Sequence, residues 1–177
     1  VSDGGAAIVL TSSEKAKDFQ HAPVYLLGAG EGHSHEHISQ AKSLTTSAAK
    51  DSGDLAYEMA GLSASDIDFA QLYDCFTPTV IIELEDLGFC GKGEGGAYVE
   101  GNRLGPGGEL PVNTHGGLLS HSHSGNPGSL FAVTETAQQL RGDLGDRQIS
   151  GARVGLVHGQ GGIMSSHTTL IFGSEGN

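Results

Sequence analysis

Hydrophobic residues in this chain fall into short apolar blocks that alternate with stretches of helical spacing. Val80, Ile81, Leu84 and Leu87 recur at the helical period before Gly88, so a helix is expected there. Thr77 reads as its N-cap, and Pro78 suits the first helical position. Leu130, Val133, Ala137 and Leu140 predict one apolar face of a second helix, Ser129–Leu140, with Gly142 past its end. A third, Ser47–Ala60, is weakened at Gly53 and ended by Gly61. Strands are expected at Ala6–Leu10, Val24–Gly28, Ile67–Leu72, Arg153–His158 and His167–Phe172, with a short one at Ala97–Val99 inside the glycine-rich stretch Gly88–Leu110. The alternation predicts an α/β protein: a mixed β-sheet covered by helices.

At 177 residues the chain fits a single domain with its own core, within the usual range of roughly 50–200 residues. Its formal charge of −12, with nine Lys or Arg, opposes nucleic acid and anionic membrane surfaces as partners. No apolar run approaches the roughly 20 residues of a membrane span. Cys75 and Cys90 stand alone without a signal peptide, which favours a reducing, cytoplasmic setting over a disulfide framework. The 29 glycines punctuate apolar segments and mark turns and close approaches; they leave room for backbone amides to hold an anionic ligand.

Four polar clusters carry the candidate chemistry. In the first, the expected strand ending at Leu72 runs into Tyr73-Asp74-Cys75-Phe76, and a helix starts at once, a corner that can project side chains into a cleft. Gly32-His33-Ser34-His35-Glu36-His37 places three histidines at alternate positions, which on one face of a strand would suit a metal and in a polar loop would only make hydrogen bonds. Asn113-Thr114-His115-Gly116-Gly117 is followed by Ser120-His121-Ser122-His123-Ser124, dense in groups able to move protons near neutral pH, or else a loop capped by hydroxyls. Val157-His158-Gly159-Gln160-Gly161-Gly162 ends a strand on a histidine before a glycine turn.

Taken in order, Tyr73–Phe76, Asn113–Ser124 and His158–Gly162 resemble the C-terminal domain of the thiolase superfamily, in the branch of the sterol-carrier-protein-x thiolases and the lipid-transfer-protein aldolases. The resemblance covers nearly the whole chain, so residues 1–177 are expected to form one thiolase-like C-terminal domain, with the opening strand at 1–10 belonging to an N-terminal half. Thiolases of this branch have His-Asp-Cys-Phe where Tyr73-Asp74-Cys75-Phe76 stands, which implies an acid/base role for Cys75; the aldolases have Tyr-Asp-x-Phe, which Tyr73 matches. The thiolase Gly-His-Pro corresponds to Ser122-His123-Ser124, after a matching Asn-x-x-Gly-Gly at Asn113, Gly116 and Gly117. The Cys-x-Gly motif is replaced around His158-Gly159.

The resemblance implies an acyl-CoA substrate, its thioester oxygen held by hydrogen-bond donors among which His123 is the candidate, with Tyr73 or Cys75 moving a proton and His158 at the last motif. A 3-hydroxyacyl-CoA would undergo retro-aldol cleavage and a 3-oxoacyl-CoA thiolysis; the lipid-like substrates of the branch are expected. Asn113, Gly116 and Gly117 would bind the coenzyme A thioester as substrate, with no tightly bound cofactor and no metal. Thiolases keep their nucleophilic cysteine in the N-terminal half, so these residues alone are expected to be inactive. That half, a small OB-fold and zinc-ribbon protein associated with acyl-CoA, and a second copy in a homodimer are the expected partners. A non-catalytic acyl-CoA or lipid-binding module is the alternative, and a metal enzyme built on His33, His35 and His37 a third.

Overall fold

Residues 3–125 and 127–176 are described in this computed structural model; Val1 and Ser2 of the expected opening strand lie outside them. The elements in chain order are α1 (Ser13–Ala16), β1 (Tyr25–His33), α2 (Ala49–Ala60), β2 (Phe69–Gln71), α3 (Thr77–Asp86), α4 (Gly95–Tyr98), α5 (Gly128–Arg141), β3 (Val154–Gly161) and β4 (Ser166–Gly173). The strands form one mixed sheet in the order β1-β4-β3-β2, with β2 and β3 parallel and the other pairs antiparallel. Val112 adds a parallel bridge to Ala70 on the outer side of β2. The α/β class and the mixed sheet are as expected.

Helix α2 lies against the β1 side of the sheet with almost no side-chain layer between them. A Cβ at Gly28, Gly30 or Gly32 would strike the carbonyl oxygens of Ala56, Ser52 or Ala48 in turn. Glycines every second residue on the strand therefore meet small residues every fourth residue on the helix, each set on one face of its element. On the opposite face Gly159 approaches Ser129 of α5. Between α2, α3 and the sheet sit Ala56, Leu84, Leu87, Leu156 and Ile171, all buried, each large one contributing about 1.5–3 kcal/mol relative to exposure.

Several expectations are corrected. Ala6–Leu10 forms no strand and is largely exposed. Strand β1 does not stop at Gly28 but continues to His33. Phe76, not Thr77, is the N-cap of α3, and its side chain makes no capping hydrogen bond; Thr77 and Pro78 are already helical. Ala97–Val99 is not a strand: Gly95–Tyr98 is a helical turn whose first N–H donates to Glu85 Oε1. The buried face of α5 is Ala132, Glu135, Thr136, Gln139 and Leu140, while Leu130 is exposed. This helix thus turns polar groups inward. His33, His35 and His37 do not share a strand face, because β1 ends at His33, His35 bonds Ser34 and the Ile163 carbonyl, and His37 caps a 3-10 turn. Among the described residues no group of three His, Cys, Asp or Glu is placed to hold a metal.

Candidate functional site

Five hydrogen bonds, contributed by Asn113, Glu83 and Asp74, shape the corner after β2. The Asn113 side-chain oxygen accepts the Leu72 N–H at 2.8 Å, and the Asn113 N–H donates to the Ala70 carbonyl. The Tyr73 N–H donates to Glu83 Oε2 at 3.0 Å, so α3 reaches back to hold the turn from which it starts. The Asp74 carboxylate accepts the N–H groups of Leu118 at 2.6 Å and Leu119 at 3.4 Å. Asp74 thereby staples the corner to a loop more than 40 positions away.

That loop requires glycine where the staple passes. Gly117 has φ 63°, and a Cβ there would strike the Asp74 carboxylate, so both backbone and space exclude a side chain. Gly116, at φ 101°, is also in the region that favours glycine, and Asn113 is left-handed at φ 53°. Beyond Gly117 the chain forms a single π turn, Leu118–Ser122, with the Ser122 hydroxyl donating to the Gly117 carbonyl. His123 follows directly. Its ring meets the Tyr73 ring edge-on, with centroids 6.3 Å apart and planes 78° to one another.

A small cleft of about 10 Å³, room for about one water, lies here, lined by Tyr73, Asp74, His115, Ser122, Ser129 and His158 among others. Burial pushes the Tyr73 phenol above its ordinary range, and Cys75, Glu83 and Asp74 push the same way. At neutral pH this phenol is a proton donor. Cys75 is half-buried, its Sγ 3.7 Å from Thr79 Oγ1. His123 is exposed. Asn113 spends its side-chain oxygen on Leu72, Gly116 is exposed, and Gly117 is covered by Asp74.

His158 is 2% exposed, and both of its ring nitrogens are engaged, Nδ1 with Thr169 Oγ1 at 2.9 Å and Nε2 with His167 Nδ1 at 3.0 Å. Thr169 in turn bonds Ser52 of α2. Glu83 Oε1 is 3.9 Å from His158 Nε2 and has no hydrogen-bond partner. Burial drives the two groups apart in pKa: the Glu83 carboxyl rises well above 4.5, and His158 falls to about 3, lowered further by His167. Burial disfavours the charged form of each. Glu83 is a residue the sequence reading missed, although it lies on the same helical stripe as Val80, Leu84 and Leu87. His115 was seen only as one member of a polar cluster.

The family described as thiolase C-terminal domain-like matches residues 30–174. The chain belongs to this family. Among its relatives within the thiolase-like proteins, an acetyl-CoA acetyltransferase of Methanothermobacter thermautotrophicus is 34% identical, over 97% of this chain and 45% of its own length. A steroid side-chain-cleaving aldolase of Thermomonospora curvata is 38% identical, over 81% of this chain and 39% of its own. The solved Ltp2-ChsH2(DUF35) aldolase superposes with a TM-score of 0.80 at 32% identity, covering 91% of this chain and 42% of that one. The chain thus spans less than half the length of these relatives. Beside this chain's thiolase-like sheet Tyr73, Asp74 and His158 line the cleft, and His123, which is not one of its lining residues, meets it only through the Tyr73 ring.

Proposed function

We propose that this chain is the C-terminal half of a thiolase-like enzyme that cleaves or forms carbon–carbon bonds in acyl-CoA substrates, and that retro-aldol cleavage of a lipid- or sterol-like 3-hydroxyacyl-CoA suits its site better than thiolysis of a 3-oxoacyl-CoA. The observation that carries this reading is the meeting of Tyr73 and His123 across 50 positions of sequence, with the phenol kept in its protonated form. Retro-aldol cleavage needs donors at the thioester oxygen while enolate charge develops, and an acid to return a proton to the α-carbon. His123 serves as the donor and Tyr73 as the acid. Cys75, half-buried beside Tyr73, is the second proton-moving group. His158, enclosed by Thr169, His167 and Glu83, acts by holding the wall of the site.

Asn113, Gly116 and Gly117 shape the loop at which the coenzyme A thioester lies as substrate, with no tightly bound cofactor. Exposed Phe76 and Leu119, next in sequence to Cys75 and Leu118, offer apolar surface to a bulky acyl group. The thiolytic branch would need a cysteine nucleophile from the N-terminal half. That half, an OB-fold and zinc-ribbon protein and a second copy complete the assembly; the two-component name of the solved aldolase supports a partner protein. Both cysteines are free thiols, in keeping with a cytoplasmic setting, and no described helix is long and apolar enough to cross a membrane.

The test uses the whole protein, this chain together with its N-terminal half. Tyr73→Phe and His123→Ala are each expected to lower turnover of a 3-hydroxyacyl-CoA by about 10²-fold or more while acyl-CoA binding persists. Unchanged turnover in either variant removes that residue from the mechanism.

A further inference from the structure

We infer that His115 is the proton acceptor of this cleft, set in a single tautomer by a hydrogen-bond chain that begins at Arg147 and passes through Glu135, Thr114 and Gln71. The donors and acceptors along the chain can be assigned one after another. Arg147 pairs with Glu135 Oε2 at 3.1 Å, so the buried carboxylate only accepts. The Thr114 hydroxyl donates to Glu135 Oε1 at 2.7 Å, which uses its one proton. Thr114 Oγ1 must then accept, and it does so from the Gln71 amide nitrogen at 2.9 Å. That turns the Gln71 oxygen toward His115 Nδ1 at 3.0 Å, and an oxygen there requires Nδ1–H.

His115 Nε2 is therefore the lone pair. Its nearest polar neighbour, Ser122 Oγ at 3.4 Å, already gives its proton to the Gly117 carbonyl at 3.0 Å. The lone pair is left without a donor at the wall of the cleft that also holds Tyr73. Gln71 is fully buried and Glu135 and Gln139 nearly so, so the orienting chain is shielded from competing water. The groups facing His115 are Glu135, His121, Asp74 and Arg147; burial outweighs them and lowers its pKa, so the imidazole is neutral and able to accept near pH 7. A base oriented through its second nitrogen by a buried polar relay follows the general logic of activated catalytic groups.

What His115 accepts rests on the function proposed above. In a retro-aldol cleavage it takes the proton of the 3-hydroxyl; the O–H electrons form the new carbonyl as the Cα–Cβ bond breaks, and that bond's pair becomes the thioester enolate. Tyr73 protonates the α-carbon and regains its proton from the His115 imidazolium, so the cycle closes without any redox partner. Gln71, Thr114, Glu135 and Arg147 are positioning residues in this scheme.

The experiment has two arms on the whole protein. In ¹⁵N NMR of the histidine rings, His115 is expected to carry its proton on Nδ1 in the wild type, to become a mixture of tautomers in Thr114→Val, and to return in Thr114→Ser. In kinetics with a 3-hydroxyacyl-CoA, His115→Gln is expected to lower kcat by about 10²–10⁴-fold with little change in KM and to remove the acidic limb of the pH profile. Wild-type protonation at Nε2 overturns the inference whatever the turnover, and so does a His115→Gln variant that keeps the acidic limb. A wild type with the expected tautomer but no turnover overturns the functional reading and leaves the tautomer supported.

Discussion

Two buried polar chains meet the same cleft from different sides, and they are built to different ends. Glu83, His158, His167, Thr169 and Ser52 form a closed group between the sheet and helices α2 and α3, with no Lys or Arg among the described residues bonded into it. Arg147, Glu135, Thr114, Gln71 and His115 form an open one, with a half-exposed cation at one end and an unquenched lone pair at the other. Burial raises the carboxyl pKa of the closed group and lowers that of its imidazole to about 3, and no counter-ion among the described residues offsets either shift. The open group can direct its donors one way because a fixed charge starts the sequence. Burial alone does not make a histidine reactive; the difference lies in what stands at the far end of its hydrogen bonds.

The contrast is broken most forcefully at Glu83. Glu83→Ala removes the acceptor of the Tyr73 N–H and leaves a cavity under the corner, so stability is expected to fall by about 2–4 kcal/mol in urea unfolding. Asp74→Ala comes next: it frees the N–H groups of Leu118 and Leu119, with an expected loss of about 1.5–3 kcal/mol and faster hydrogen exchange at Leu118.

The closed group also leaves a signature in pH. The Glu83 pKa is raised in the fold, so its contribution is whole below 4.5 and is lost as pH rises toward the folded value. That of His158 is lowered from 6.5 to about 3, so its contribution is whole above 6.5 and is lost as pH falls toward 3. Unfolding free energies of Glu83→Gln measured across pH 4–8 should therefore lack the decline above 4.5 that the wild type shows, while keeping the decline on the acid side. An unaltered curve would mean that Glu83 is ionised in the fold. The smallest effect is expected at the open chain's outer end. Arg147 is 55% exposed and water can take its place, so Arg147→Ala should cost only about 1 kcal/mol. Its consequence should show instead in the tautomer of His115.

What the sequence made legible follows the same division. Tyr73 and His123 could be picked out because each stands in a short ordered motif, and the helices because their apolar residues keep the 3.6 period. Strand β1 was cut short at Gly28 because glycines at 28, 30 and 32 signal turns; their cause is the helix backbone pressed against them, which no local pattern contains. The buried face of α5 departs from the apolar stripe because Glu135, Thr136 and Gln139 face inward, and the partners of Glu135 and Gln139 come from other segments, Thr114, Arg147 and Ile149 among them. Glu83 had a readable signal, a carboxylate on an otherwise apolar helical stripe. Gln71 and His115 had none, since 44 positions separate the two ends of their bond.

Helix α3 is gripped through its last turn: Glu83 holds the Tyr73 amide, which lies ahead of the helix, and the Asp86 carboxylate takes the Ser47 amide and hydroxyl and the Lys92 ammonium. Because Asp74 in turn clasps the 117–119 segment, this one rod works as a yoke between the entrance of α2 and the rim of the cleft. A bulky guest that nudges the rim would be felt at Lys92, 19 positions beyond Tyr73 and 41% exposed, where a reporter group could register its arrival without touching the chemistry.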